Sequence, residues 1–319
     1  MKKKPYTVFL YSILGFSILA NHIHTAAAAW SSHPQENTPI CTMPEQQGNP
    51  QMISDGAGGA IITWEDRRNV HFDIYAQRID AQGNILWGKG GIPVCAALEN
   101  QIKPRIISDG AGGAFITWHD IRNGTDNADV YAQRIDAQGK PLWTINGITL
   151  CNEPNAQNSP IITTDGAGGA IIIWQDYRTN YADLYAQRIN SKGDALWVNN
   201  GKLVCGVSGT QGNIVVINDG VGGAIFAWQD FRRNYADIYA QRIDGSGTML
   251  WDIYVVTIST AVGHANFPVI TSNGAEGAIL TWVDTRNGNN DIFAQQVDGN
   301  GVVQWRENGI PVCTSIGNQ

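Results

Sequence analysis

Charge, histidine and helix-length segments are all scarce in this sequence of 319 residues. Asp, Glu, Lys and Arg make up only 15% of it against 43% hydrophobic residues, a balance that excludes a disordered chain. Basic residues are the rarer sign, 21 against 28 acidic, for a formal net charge of -7. An acidic chain is a poor partner for phosphate backbones and anionic lipid, so nucleic-acid binding is disfavoured. Beyond residue 29 the only histidines are His33, His71, His119 and His264, and none lies in a nucleophile motif such as G-x-S-x-G, so a catalytic triad has no support. No segment after the N-terminus is apolar for long enough to span a bilayer. No stretch carries the periodicity of a helix of useful length.

Gly, in contrast, is abundant, with 36 residues, many at fixed intervals, as turns requiring positive φ would place them. The first 29 residues stand apart: Lys2, Lys3 and Lys4, the apolar run Val8 to Ala20, then the small-residue tract Ala26 to Ala29. This is the pattern of a cleaved secretory signal peptide, and it predicts export to the periplasm, cell surface or exterior with no transmembrane anchor afterwards. Loss of the three Lys takes the net charge from -7 to -10.

The rest repeats. DGAGGAIITWEDRR (55 to 68) returns as DGAGGAFITWHDIR, DGAGGAIIIWQDYR, DGVGGAIFAWQDFR and, more weakly, NGAEGAILTWVDTR. Trp64, Trp118, Trp174, Trp228 and Trp282 are spaced by 54, 56, 54 and 54 residues, and Trp87, Trp143, Trp197, Trp251 and Trp305 keep the same step. Between them stands DIYAQRID (73 to 80) and its echoes. Asp-Gly and Gly-Gly between apolar runs are hairpin signals. Each unit reads as a strand up to Asp-Gly, a strand through the first Trp, the DIYAQRID strand, and a short strand ending at the second Trp. GAIIIWQD (169 to 176) is apolar at consecutive positions, so both faces of its sheet must be covered. About 54 residues cannot bury such a sheet alone, but stacked copies can. The predicted fold is therefore all-β: a β-propeller of four-stranded antiparallel blades, five in number, forming a single domain over residues 30–319. The connector GIPVC (91 to 95) recurs once more often than the full unit, as TPIC at 38 to 41 and GIPVC at 309 to 313. A ring whose ends meet, one terminus strapping the other, is the favoured closure. An open or larger ring completed by another chain is the alternative.

Cys41, Cys95, Cys151, Cys205 and Cys313 share one repeat slot, filled by Ser259 in the fourth unit. Equivalent outer positions of neighbouring blades are too far apart for disulfides, so buried thiols serving as small apolar residues are expected. Cys41 with Cys313 is the one pair that closure could bring together, and its bonding stays open. No metal site and no cofactor is expected.

The Trp-x-Asp-x-Arg sets are Trp64, Asp66 and Arg68; Trp118, Asp120 and Arg122; Trp174, Asp176 and Arg178; Trp228, Asp230 and Arg232; and Trp282, Asp284 and Arg286. An active site gathers unlike residues at one place, whereas these recur in every unit; they read as scaffold, and no catalytic residue is assigned. His119 occupies a slot held elsewhere by Glu65, Gln175, Gln229 or Val283, a tolerance that suggests an exposed strand position. Copies differ most after Trp-x-Asp-x-Arg, where His71, Tyr181 and Tyr235 are equivalent; a ring beside Asn suits sugar or protein recognition, so these three are the candidate ligand-binding residues.

The pattern D-G-x-G-G-A-I-x-x-W-x-D-x-R, then D-I-Y-A-Q-R-x-D, L-W and G-x-P-V-C resembles repeats of uncharacterised secreted bacterial β-propeller proteins over residues 41 to 313. It is more distantly similar to kelch and sialidase-type propellers. The interval from Tyr75 to Trp87 is longer than in kelch units, and that from Asp to Trp in SDGAGGAIITW is longer than in the sialidase Asp-box, so no sialidase catalytic residue carries over. The resemblance implies the fold, export, and binding as the role. The functional expectation is thus a non-enzymatic binding module for protein or glycan. Two alternatives stand beside it: a polysaccharide-active hydrolase or lyase with one site at a mouth of the central channel, which requires unlike polar residues there, and a structural component of an envelope assembly.

Overall fold

The computed structural model describes residues 37–179, 181–251, 255–315 and 317. The expected signal peptide, residues 1–29, lies outside them. Five four-stranded antiparallel sheets follow one another along the chain. Blade 1 comprises β1 (Gln47–Ser54), β2 (Ala60–Asn69), β3 (His71–Ile79) and β4 (Ile92–Cys95). Blade 2 comprises β5 (Gln101–Ser108), β6 (Ala114–Asp120), β7 (Asp129–Ile135) and β8 (Ile148–Cys151). Blade 3 has β9 (Gln157–Thr164), β10 (Ala170–Asp176), β11 (Asp183–Ile189) and β12 (Lys202–Cys205). Blade 4 has β13 (Gln211–Asn218), β14 (Ala224–Asp230), β15 (Asp237–Ile243) and β16 (Val256–Ser259). Blade 5 has β17 (Ala265–Ser272), β18 (Ala278–Asp284), β19 (Asp291–Val297) and β20 (Ile310–Cys313). A 3-10 turn, Thr125–Asn127, takes up the longer loop of the second unit. Among the described residues no helix is long and apolar enough to cross a membrane.

The propeller reading holds, with one correction to the strands. The fourth strand of each blade is the GIPVC-type connector, not the segment ending in the second Trp, which makes one isolated bridge such as Ile135 with Pro141. A glutamine holds that segment as a loop instead. Gln133 Oε1 accepts from the Trp143 and Arg134 backbone N–H groups, and Gln133 Nε2 donates to Thr144 O.

The continuous apolar strands are covered on both faces, as expected: Ile171, Ile172 and Ile173 are all buried. Ile61, Ile74 and Val94 of blade 1 pack on Ile106, Ile116 and Trp118 of blade 2, and the same interface recurs between each successive pair up to blades 4 and 5. The first strands β1, β5, β9, β13 and β17 touch in that order and so line the channel.

The ends do not meet through this interface. β17 and β1 share no contact comparable to those of neighbouring first strands. Val312 is 61% exposed, against 2% for Val94, 6% for Leu150, 7% for Val204 and 1% for Ile258 at the same slot. The N-terminal segment packs on blade 1 rather than strapping the other terminus: Ile40 and Cys41 lie against Ile62, Trp64 and Tyr75. None of the five cysteines is disulfide-bonded. Burial pushes the thiols of Cys95, Cys151 and Cys205 up to about 12. They are not merely small apolar residues, because each accepts a hydrogen bond from an arginine of the next blade, Arg122, Arg178 or Arg232.

Candidate functional site

The repeated polar set is internally consumed. Asp66 Oδ2 accepts from Trp64 Nε1 at 2.9 Å and from Arg68 Nη2 at 2.5 Å, and Arg68 Nη2 also donates to Gly90 O at 2.8 Å. The pairing runs along one strand rather than across the hairpin. Burial pushes the Asp66 carboxyl up, but the bonds from Arg68 and Trp64 outweigh it and hold the group below its ordinary value. The other units repeat the Arg–Asp pairs, and each Arg guanidinium stacks 3.8–4.0 Å from the ring of Tyr75, Tyr131, Tyr185, Tyr239 or Phe293. The turn aspartate is spent too: Asp55 Oδ1 accepts from the N–H groups of Ala57 and Gly59, and Asp55 Oδ2 pairs with Arg78 at 2.9 Å. Arg78 Nη1 then reaches Ala137 O of blade 2, a staple between blades. Arg134, Arg188 and Arg242 do the same to blades 3, 4 and 5.

The proposed ligand residues lie on separate blades. His71 is half exposed in a rim hollow of about 690 Å³ with Asp73, Leu98, Arg122, Asn123 and Asn146. Its Nδ1 is 3.8 Å from Glu99. That hollow is roomier than the channel hollow described below, yet Arg122 and Asp73 belong to the repeated set, and they and Asn123 are already bonded, so volume there does not amount to chemistry. Tyr181 is exposed on blade 3. Tyr235, on blade 4, stands edge-on to His264 at 5.4 Å. The structure does not bring the three together.

Unlike residues do converge elsewhere, on the channel wall. Each first strand carries a bulge near its start, as between Ile102 and Arg105 in β5. At the bulge one residue takes positive φ: Asn49 (49°), Lys103 (55°), Ser159 (53°), Asn213 (46°) and Phe267 (53°). Bulges re-aim side chains, and non-glycine residues at positive φ store strain that functional sites often hold. The types at this slot do not repeat as scaffold does. A hollow of about 410 Å³ opens beside it, lined by Lys103 and Arg105 of blade 2, Ser159 and Ile161 of blade 3, Gln175, and Asn213 of blade 4. Lys103 Nζ donates to Ser159 Oγ at 3.4 Å.

The slot of Glu65 and His119 points forward from β2 or β6 into the bulge of the next blade. Glu65 Oε1 accepts from the Lys103 N–H at 2.6 Å, Gln175 Nε2 donates to Gln211 O at 2.6 Å, and Gln229 Nε2 donates to Asn266 Oδ1 at 2.6 Å. The expectation that His119 is exposed is therefore corrected. The slot tolerates many types because each finds its own partner between blades, not because it faces water. His119 is the exception: it is buried and neither ring nitrogen has a hydrogen-bond partner. Burial, with Lys103 adding to it, pushes its pKa down to about 4, so the imidazole is neutral at neutral pH. Divergence among the copies at the first strand was the signal for this site; the rim loops drew attention away from it.

Gln101 pairs with Asp120, and Asp120 with Asp129, so the start of each first strand and the loop after Trp-x-Asp-x-Arg lie at one end of the blade. The channel hollow and the rim aromatics thus share an end of the propeller.

No family model matches the chain, and no curated protein does. Solved structures similar in fold include the α-L-arabinanase of Penicillium chrysogenum complexed with arabinobiose (15% identity, 77% of this chain and 76% of that one, TM-score 0.47). A second is the α-L-arabinofuranosidase of Fusarium graminearum with arabinobiose (12%, 83% and 81%, TM-score 0.49). A third is an exo-β-1,3-galactanase from Clostridium thermocellum (11%, 82% and 63%, TM-score 0.44). At this identity the likeness concerns the fold. The expectation of a non-enzymatic binding module is corrected here: unlike polar residues gather in one hollow on the channel wall, the feature that the polysaccharide-active alternative required.

Proposed function

We propose that this chain is an exported, polysaccharide-active enzyme, a hydrolase or lyase, with a single site at the channel mouth formed by blades 2 to 4. The observation that carries it is the convergence of Lys103, Arg105, Ser159, Gln175 and Asn213 on one hollow, in contrast to the Trp-x-Asp-x-Arg set, which repeats from blade to blade. Export is supported by the N-terminal Lys2–Lys4, apolar run and Ala tract; the destination is the periplasm, cell surface or exterior.

Two groups near the hollow can handle protons. Glu65 supplies a buried carboxyl, and His119 a neutral imidazole with unused nitrogens. Hydrolysis by the usual route needs two carboxyl groups flanking the scissile bond. The hollow's lining contains none, and Glu65 supplies one from its margin. Elimination needs one base and a cation that stabilises developing negative charge. Lys103 and Arg105 suit elimination better, with His119 behind the wall as a base that substrate binding would have to uncover, since both its ring nitrogens are shielded. His71, Tyr181 and Tyr235 are proposed as outlying contacts for a long chain crossing the same end of the propeller.

The test is incubation of the full chain with a panel of plant and bacterial polysaccharides, followed by assay of new reducing ends and of unsaturated ends. Cleavage of one polymer, abolished by His119→Gln and by Glu65→Gln and weakened on long but not short substrate by Tyr181→Ala, is the expected outcome. Undiminished cleavage in the first two variants would remove the channel site; no cleavage across the panel would remove the enzyme reading.

A further inference from the structure

The cations of the channel hollow are unlike the other buried arginines. Arg68, Arg78, Arg122, Arg134, Arg178, Arg188, Arg232, Arg242 and Arg286 each pair with an aspartate. Arg105 is half-buried, and among the described residues it forms no ion pair; its one side-chain bond is Nη1 to Pro104 O at 3.0 Å. Burial pushes its pKa down, the direction taken by a cation with no compensating anion. Lys103 likewise has only the Ser159 hydroxyl. Its backbone is held at φ 55° by the bulge, and its N–H is fixed by Glu65, so the exposed side chain starts from a set place on the channel wall. No carboxylate lines the hollow.

A protein with net charge -7 thus keeps a local pair of cations in a concave wall, beside hydroxyl and amide groups. A half-buried guanidinium without an anion is costly, and low-dielectric walls of one sign concentrate the opposite charge. Resting on the reading of the channel as the glycan site, we infer that the substrate is an anionic polysaccharide whose carboxylate or sulfate group is held by Arg105 and Lys103. Arg105 presents the planar fork that matches such groups, Lys103 adds a point charge, and Ser159, Gln175 and Asn213 are placed to bond sugar hydroxyls. The bulk negative charge of the chain works against any polyanion, so retention would report this site rather than general attraction.

Affinity electrophoresis of the full chain tests it, in native gels containing polygalacturonate (carboxylate), chondroitin sulfate (sulfate with carboxylate) or neutral arabinan. Retardation by one or both polyanions but not by arabinan is expected. Lys103→Gln combined with Arg105→Gln should weaken it about tenfold or more, Arg105→Lys should retain part of it, and Lys140→Gln, an exposed change in a turn at the opposite end, should leave it unchanged. Melting curves of the variants confirm folding. Retardation by arabinan alone would overturn the anionic assignment while leaving the glycan site standing. Equal retardation of the double variant would overturn the roles of Arg105 and Lys103. Retardation by none of the three would overturn the assignment together with the glycan reading beneath it.

Discussion

A single side chain, His119, sets a pH limit on the molecule. Its folded pKa of about 4 lies below the ordinary 6.5, so the unfolded chain binds the proton more readily. The neutral ring contributes its full stability above pH 6.5, and that contribution is lost as pH falls through the window from 6.5 to 4. The loss reaches about 3 kcal/mol. Replacing it with glutamine, the residue at the same slot in blades 3 and 4, should flatten this acid dependence. Urea midpoints measured across the window check it; an unchanged acid slope in His119→Gln would mean that the ring is solvated. That slot was misread from sequence because variability suggests exposure, whereas here variability reflects a different partner in each blade gap. Tyr181 and Tyr235, by contrast, were correctly read as lying in loops, but a loop aromatic carries no information about what lies across the channel from it.

At the level of the strand pair, the ion pair between the Asp-Gly turn and the third strand is the joint that also reaches the next blade. In blade 3 Arg188 holds Asp165 at 2.9 Å and Gly245 O at 2.7 Å. In blade 5 both charged members are absent, Asn273 standing for the aspartate and Gln296 for the arginine. The turn survives, because Asn273 Oδ1 accepts from Ala275 and Gly277 as the aspartate would. Arg188→Gln alone leaves a buried carboxylate uncompensated and should cost about 3 kcal/mol. Adding Asp165→Asn should recover part of that, since the neutral pair is one the fold already uses. A double-mutant cycle in denaturant measures the coupling; strictly additive losses would show that the two act apart. The hairpins, their Asp-Gly turns and the two-faced burial of GAIIIWQD were legible because period and turn chemistry act locally. The identity of the fourth strand was not, because it depends on Gln133 and its equivalents bonding a loop that carries a strand-like sequence.

Across the whole molecule, four inter-blade interfaces are complete and the forward face of blade 5 is not. Val204→Asp places a charge in a sealed interface and should cost several kcal/mol, about 4 or more. Val312→Asp, at the equivalent slot on the open side, should change stability by less than about 1 kcal/mol. Thermal melting of the two variants checks this, and equal losses would mean that Val312 is covered in solution. Blade number was readable from the tryptophan spacing, but closure was not, because the repeat specifies how one blade meets the next and says nothing of how the last meets the first.

The N-terminal segment at Ile40 and Cys41 alters what counts as one module. The connector strands of blades 1 to 3 complete their own sheets yet lodge a cysteine against the arginine of the sheet that follows, as Cys95 does with Arg122; Ser259 does the same for Arg286, and TPIC provides that lodging for Arg68 without a sheet of its own. A cut made at blade boundaries would therefore strip the leading sheet of its plug. A shortened protein beginning near Gly91 would carry one with it, so the severable, duplicable segment of this chain runs from one connector to the next, out of phase with the blades it builds.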